Sequence, residues 1–215
     1  MEIFQSEGHL AIPKTSNGGK VLVLHAWWGL NQTIKDFCNR LAQEGFTVYA
    51  PDLFHGKLAD TISAAEDLST SLNESQTNDI LDIATKFLVD NSPHSSKGLA
   101  VIGFSLGAYF ALGLSARVPD NICSVVIYYG TGPVEFTGSK ASFLGHFAEM
   151  DEFEPLSNIE ELEAGIRKAD RPVRFYTYPG TGHWFCEPDR SQAFDPIATA
   201  LAWERTLSFL RETLL

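Results

Sequence analysis

The sequence predicts an α/β fold: a mostly parallel, doubly wound sheet with helices on both faces, formed by one domain over residues 1–215. Three observations predict it. Short, nearly continuous apolar runs alternate with segments of helical period, and strands buried on both faces lose the in–out alternation of a half-exposed sheet. Most successive runs are separated by a helical segment, and strands joined through a helix pair parallel with a right-handed crossover. Finally, 215 residues with 44% hydrophobic and 20% charged content make an ordinary globular composition, large enough to bury a core without metal or disulfide staples. No repeat, low-complexity tract or linker divides the chain.

Each element has its own signal. Val21-Leu22-Val23-Leu24-His25, after the turn residues Asn17-Gly18-Gly19, predicts a buried strand. Ile34, Phe37, Cys38 and Leu41 then recur at helical spacing, and Gly45 ends that helix. Phe46 to Ala50 predicts a second strand, closed by Pro51-Asp52. Residues 55–78 are polar and weakly patterned and are expected to be loop with short helical pieces. Ile80, Ile83, Ala84, Phe87 and Leu88 mark a helix that the Asn91-Ser92-Pro93 breaker finishes. Leu99 to Gly103 predicts a third strand, followed by an Ala-rich helix to Arg117, and Cys123 to Tyr129 a fourth, closed by Gly130. Ala141 to Phe147 and Val173 to Tyr178 predict two more strands with a helix near Ile159 to Lys168 between them. The last helix opens with Asp195 as N-cap and Pro196 at its first position.

Composition narrows the function classes. Sixteen basic and 27 acidic residues leave a net charge of −11, which argues against binding a phosphate backbone or an anionic membrane surface by charge. No apolar run nears the roughly 18 residues that would span a bilayer, and Met1 to Pro13 has no basic patch leading into an apolar stretch. A cytoplasmic protein acting on a small molecule is expected. Three cysteines without a CxxC pair predict neither a zinc site nor a disulfide framework.

The chemistry begins at Gly103-Phe104-Ser105-Leu106-Gly107. This G-x-S-x-G run lies between a predicted buried strand and an Ala-rich helix, the strand–turn–helix setting in which such a serine becomes an exposed nucleophile. Its flanking glycines are expected where strand and helix pack too closely for side chains. A serine hydroxyl needs a base. His183 is expected to be that base, in the loop Pro179-Gly180-Thr181-Gly182-His183 after the last predicted strand, on the same rim as Ser105. The acid that orients it lies among Asp120, Glu135, Glu149, Asp151, Glu152, Glu154 and Asp170. Asp151 follows a predicted strand on that rim, whereas Asp120 belongs to the opposite one. Two N–H donors should hold a tetrahedral oxyanion: Leu106, next after the serine, and Trp27 in the loop His25-Ala26-Trp27-Trp28-Gly29-Leu30. His25 is expected to bond backbone in that loop. Cys123 is expected in the core, and Cys186 without a reactive role.

Together these segments resemble the dienelactone hydrolase family of α/β-hydrolases. His25 to Asn31 is similar to its oxyanion loop, Ala50-Pro51-Asp52-Leu53-Phe54 to its next strand end, and Gly103 to Gly107 to its elbow. Asp151-Glu152-Phe153-Glu154-Pro155 resembles its acid loop, Tyr178 to His183 its histidine loop and Asp195 to Leu210 its last helix. The resemblance runs from about residue 20 to the end. It implies an α/β-hydrolase fold with a minimal lid or none. It favours Asp151 over its neighbours as the acid, and implies an ester or lactone substrate with no metal or cofactor. Two features depart from the founding enzymes of the family, which carry cysteine where Ser105 stands and glutamate where Ala26 stands. They also grip a substrate carboxylate with arginines, one soon after the catalytic histidine. Here Trp184-Phe185-Cys186-Glu187 follow His183, with no arginine before Arg190. A neutral or apolar substrate walled by Trp28, Trp184 and Phe185 is therefore expected, unless Lys57 or Arg190 reaches the pocket. The same triad would serve a thioesterase or acyltransferase, and the fold alone would serve a binding protein without chemistry.

Overall fold

Seven strands among the described residues form one sheet in the order β1-β3-β2-β4-β5-β6-β7. They are β1 Gly8–Ala11, β2 Lys20–Leu24, β3 Thr47–Pro51, β4 Leu99–Phe104, β5 Ile122–Tyr128, β6 Ser142–Ala148 and β7 Val173–Tyr178. Residues 8–91 and 98–215 of this computed structural model are described; Met1 to Glu7, the Ser92-Pro93 part of the helix breaker and His94 lie outside them. Every pairing is parallel except that of β1 with β3.

The apolar strands take both faces because successive side chains point to opposite sides. Val21 and Val23 of β2, with Ala100, Ile102 and Phe104 of β4, join a core beneath helices α1 (Gln32–Gln43) and α6 (Pro196–Leu214). Leu22, Leu24, Leu99 and Val101 join a second core. It lies beneath α3 (Glu74–Asp90), α4 (Leu106–Arg117) and α5 (Leu156–Lys168). The fold is thus doubly wound, as the continuous apolar runs predict. Asp195 caps α6 by accepting hydrogen bonds from the Ile197 and Ala198 N–H groups, with Pro196 following. Asn31 caps α1 by accepting from Ile34 N–H.

Three elements differ from expectation. Residues 8–11 form an antiparallel edge strand that the sequence reading did not assign. The stretch 55–78 holds a full helix, α2 (Ile62–Thr70, capped by Thr61), and the first turn of α3. Helix α5 begins at Leu156, three residues before its predicted start.

The strand order places the site. From β2 the chain moves outward to β3, then returns to lay β4 on the other side of β2. At such a switch point the connections leave in opposite directions and open a crevice beyond the carboxyl ends of the strands. The 25–30 loop after β2 and the turn after β4 both enter it.

Candidate active site

Ser105 sits between β4 and α4 at φ 49° and ψ −110°, a left-handed, strained conformation rare for a side-chain-bearing residue. Its N–H donates to the Tyr128 carbonyl at 2.9 Å, and its carbonyl accepts from Ala108 N–H at 2.8 Å. The turn is therefore tied both to β5 and to the first turn of α4. It presents the hydroxyl at a helix N-terminus, where the first N–H groups have no intrahelical partner; Leu106 N–H is the first of them.

The Ser105 Oγ lies 2.9 Å from His183 Nε2. His183 Nδ1 lies 2.7 Å from Asp151 Oδ2 and 2.9 Å from Oδ1. A carboxylate only accepts, so Nδ1 carries the proton and Nε2 is free to accept from the serine. Asp151 is itself held by the Phe153 and Glu154 N–H groups, both donating to Oδ1 at 2.9 Å. The three residues expected from the sequence are thus brought together from the ends of β4, β6 and β7.

Three of the other candidate acids are engaged elsewhere, while Glu152 lines the cleft beside His183. Asp120 pairs with Lys140 at the amino end of β5. Glu149 accepts from Gly180 N–H at 2.9 Å, and Glu154 from Thr131 N–H at 2.9 Å. His25 is fully buried, and burial lowers its pKa. It accepts from Leu53 N–H at Nε2 and lies 2.7 Å from the Ala26 carbonyl through Nδ1, so it braces the 25–30 loop as the neutral Nδ1–H tautomer. Burial pushes the Cys186 thiol well above its ordinary range, which leaves no thiolate for nucleophilic attack.

Beside His183 opens a cleft of about 850 Å³ lined by Trp28, Ile62, Met150, Phe153, Trp184 and Arg190 among others. Trp27 stacks on Trp184 with ring centroids 6.0 Å apart, and Phe153 packs 5.1 Å from the His183 ring. A tighter cavity of about 170 Å³ beneath α1 and α6 holds none of Ser105, Asp151 or His183. One expected wall is corrected: Phe185 has no exposure and packs against Tyr129 and Tyr178. The cause is local. Trp184 adopts φ 65°, and with this left-handed step Trp184 lines the cleft while Phe185 lies in the core. Arg190 does line the cleft, but its guanidinium lies 3.9 Å over the Trp28 ring and 3.0 Å from Asp189. Asp189 in turn accepts from Asn31 and Thr33.

Sequence reasoning missed a pair behind the histidine. The Tyr129 ring lies 4.9 Å from that of His183. Its hydroxyl donates to Glu187 Oε1 at 2.8 Å, while Glu187 Oε2 is buried without a partner. The signal for Tyr129 was its place just past a strand on the active rim; Glu187 had none. Burial pushes the Glu187 carboxyl up from 4.5 to about 8. Because the folded-state pKa is the higher one, the contribution to stability is full below about 4.5 and lost as pH rises through about 8. Glu187→Gln should therefore melt near the wild type at pH 5 and several degrees above it at pH 9. Parallel melting curves across that span would contradict the buried, protonated carboxyl.

A parallel sheet with a strained serine after its central strand, faced by a histidine and an acid from later strand ends, defines an α/β-hydrolase. The dienelactone hydrolase family model matches residues 6–214, and the chain belongs to that family of carboxylic ester and lactone hydrolases. It is 32% identical over 216 residues to Protein usf of Aquifex pyrophilus, covering 96% of this chain and 93% of that one. It is 28% identical over 213 residues to an Aquifex aeolicus protein named for carboxymethylenebutenolidase, covering 95% and 92%. A Klebsiella pneumoniae crystal structure named for dienelactone hydrolase superposes with a TM-score of 0.81 at 22% identity, over 93% of this chain and 90% of that one. At that identity the likeness is one of fold. Among the described residues, no helix is long and apolar enough to cross a membrane, and no group of three or more His, Cys, Asp or Glu side chains is placed to hold a metal ion.

Proposed function

We propose that the protein is a serine hydrolase that cleaves carboxylic esters or lactones through an acyl-enzyme. The observation that carries this reading is the 2.9 Å contact of Ser105 Oγ with His183 Nε2, with Asp151 on the other ring nitrogen. Ser105 attacks the acyl carbon while His183 takes its proton. Asp151 holds the imidazole in the accepting tautomer and stabilises the imidazolium. The N–H groups of Leu106 and Trp27 receive the oxyanion. His183 then returns the proton to the departing alkoxide, which for a lactone stays attached to the acyl group. Water, deprotonated by His183, releases the acid and restores the serine. The lactone option draws support from the carboxymethylenebutenolidase name of the Aquifex aeolicus relative.

A fluorophosphonate probe tests the nucleophile, because an activated serine displaces its fluoride and becomes phosphonylated. The native protein should label to one equivalent, with the added mass on the peptide that carries Ser105. Folded protein that stays unlabelled, or labels at another residue, overturns the assignment.

A further inference from the structure

The geometry points to a cleft that sorts substrates by charge: esters carrying an organic ammonium group are favoured over neutral ones, and those carrying a carboxylate are turned away. This inference rests on the serine-hydrolase reading above.

The groups in the cleft decide the sign. Its charged lining is Asp60, Glu152, Asp189 and Arg190. Among the described residues that line it Arg190 is the only Lys or Arg, and it is spent: Asp189 lies 3.0 Å from its guanidinium, and the Trp28 ring lies 3.9 Å beneath it. Asp189 is pinned to the start of α1 by Asn31 and Thr33, so the pair is held in place as a strap rather than free to swing toward a ligand. A substrate carboxylate would have to break that pair to gain a partner. Asp60 and Glu152, by contrast, are exposed and have no basic partner among the described residues. They face the same space as His183.

The walls supply what an organic cation needs. Trp184 and Phe153 lie 4.9 Å apart by ring centroids, and Phe153 is 44% exposed. Aromatic faces attract alkylammonium groups through the ring quadrupole, and a weakly hydrated cation loses little on leaving water for them. The stacked Arg190 is an internal instance of the same contact on Trp28. A cleft of one sign between low-dielectric walls also concentrates ions of the other sign, by about tenfold or more. The chain's net charge of −11 adds to that field at long range.

The test is a matched series of 4-nitrophenyl esters: hexanoate, a trimethylammonio-butanoate and a carboxy-pentanoate, each rate divided by its spontaneous hydrolysis. At low salt kcat/KM should fall in the order cationic, neutral, anionic, with about tenfold or more between the extremes. Half-molar salt should narrow that ratio. The double variant Asp60→Asn with Glu152→Gln should narrow it as well, and both changes are at exposed positions that do not threaten folding. Turnover of the neutral ester with a flat or reversed charge order overturns the charge inference alone. No turnover of any of the three by folded protein overturns the hydrolase reading, and this inference with it.

Discussion

Ser105→Ala is expected to lower kcat/KM on a short 4-nitrophenyl ester by about 10⁴- to 10⁶-fold, the scale of loss seen when a triad nucleophile is removed. Its melting temperature should hardly move. Alanine and serine strain the backbone alike at φ 49°, and the change deletes one partly buried hydrogen bond, from Ser105 Oγ to His183, worth about 1 kcal/mol. Activity and stability are thus pulled apart by one substitution, which is what a catalytic rather than a structural hydroxyl requires. Activity should not reach zero, because the N–H groups proposed to hold the oxyanion, those of Leu106 and Trp27, and the cleft stay in place. Assaying the variant, expressed in a host lacking background esterase, checks this. Retention of more than a hundredth of wild-type turnover would assign the chemistry to another group.

The central sheet, Ser105 and His183 were legible in the sequence because each left a local mark. Strands β2, β4 and β5 are buried on both faces and so are written as nearly continuous apolar runs, interrupted only by Lys20 and Ser124. Ser105 is flagged by two glycines and His183 by its Gly-rich loop just past a strand end, whereas Asp151 shares its rim with Glu149 and Glu152 and is singled out among them by the family resemblance. What was illegible depends on partners distant in sequence. Gly8–Ala11 is a short, half-buried strand whose existence rests on β3, to which it pairs from Gly8↔Pro51 to Ala11↔Val48. Helix α2 buries only Ala65, too little to leave a periodic signature among polar residues. The inward turn of Phe185 follows a left-handed step at Trp184, a residue whose type does not announce one. Glu187 carries a charge-bearing group into the core, against every compositional expectation, and only the Tyr129 hydroxyl meets it. Of the two cations the sequence offered, Lys57 and Arg190, it is Arg190 that lines the cleft, and its pairing with Asp189 could not be read from adjacency alone.

The glycines of the elbow lead to the second large effect, this one on stability. Gly107→Ala should destabilise the protein by roughly 3 kcal/mol or more, beyond ordinary overpacking because the obstruction is backbone rather than a side chain that can rotate. A β-carbon there would fall closer to the Leu24 carbonyl oxygen than real β-carbons come, and 2.7 Å from the His25 carbonyl oxygen. The first belongs to the last residue of β2, which is clamped between β3 and β4, and the second to His25, where the 25–30 loop leaves that strand. The sheet cannot yield, so α4 must lift. For a domain of this size the expected fall in melting temperature is about 10 °C. Lifting α4 also moves Leu106 N–H away from the loop that carries Trp27, so turnover of the surviving folded protein should drop as well. Gly113→Ala on the same helix is the control: its added β-carbon meets nothing within 4 Å, and helix propensity favours alanine there by about 1 kcal/mol. Thermal melts of the two variants side by side separate close approach from loss of glycine as such. If Gly107→Ala melts within two degrees or so of Gly113→Ala, the helix does not rest on the end of β2, and the contact that sets the elbow against the 25–30 loop is not the one described.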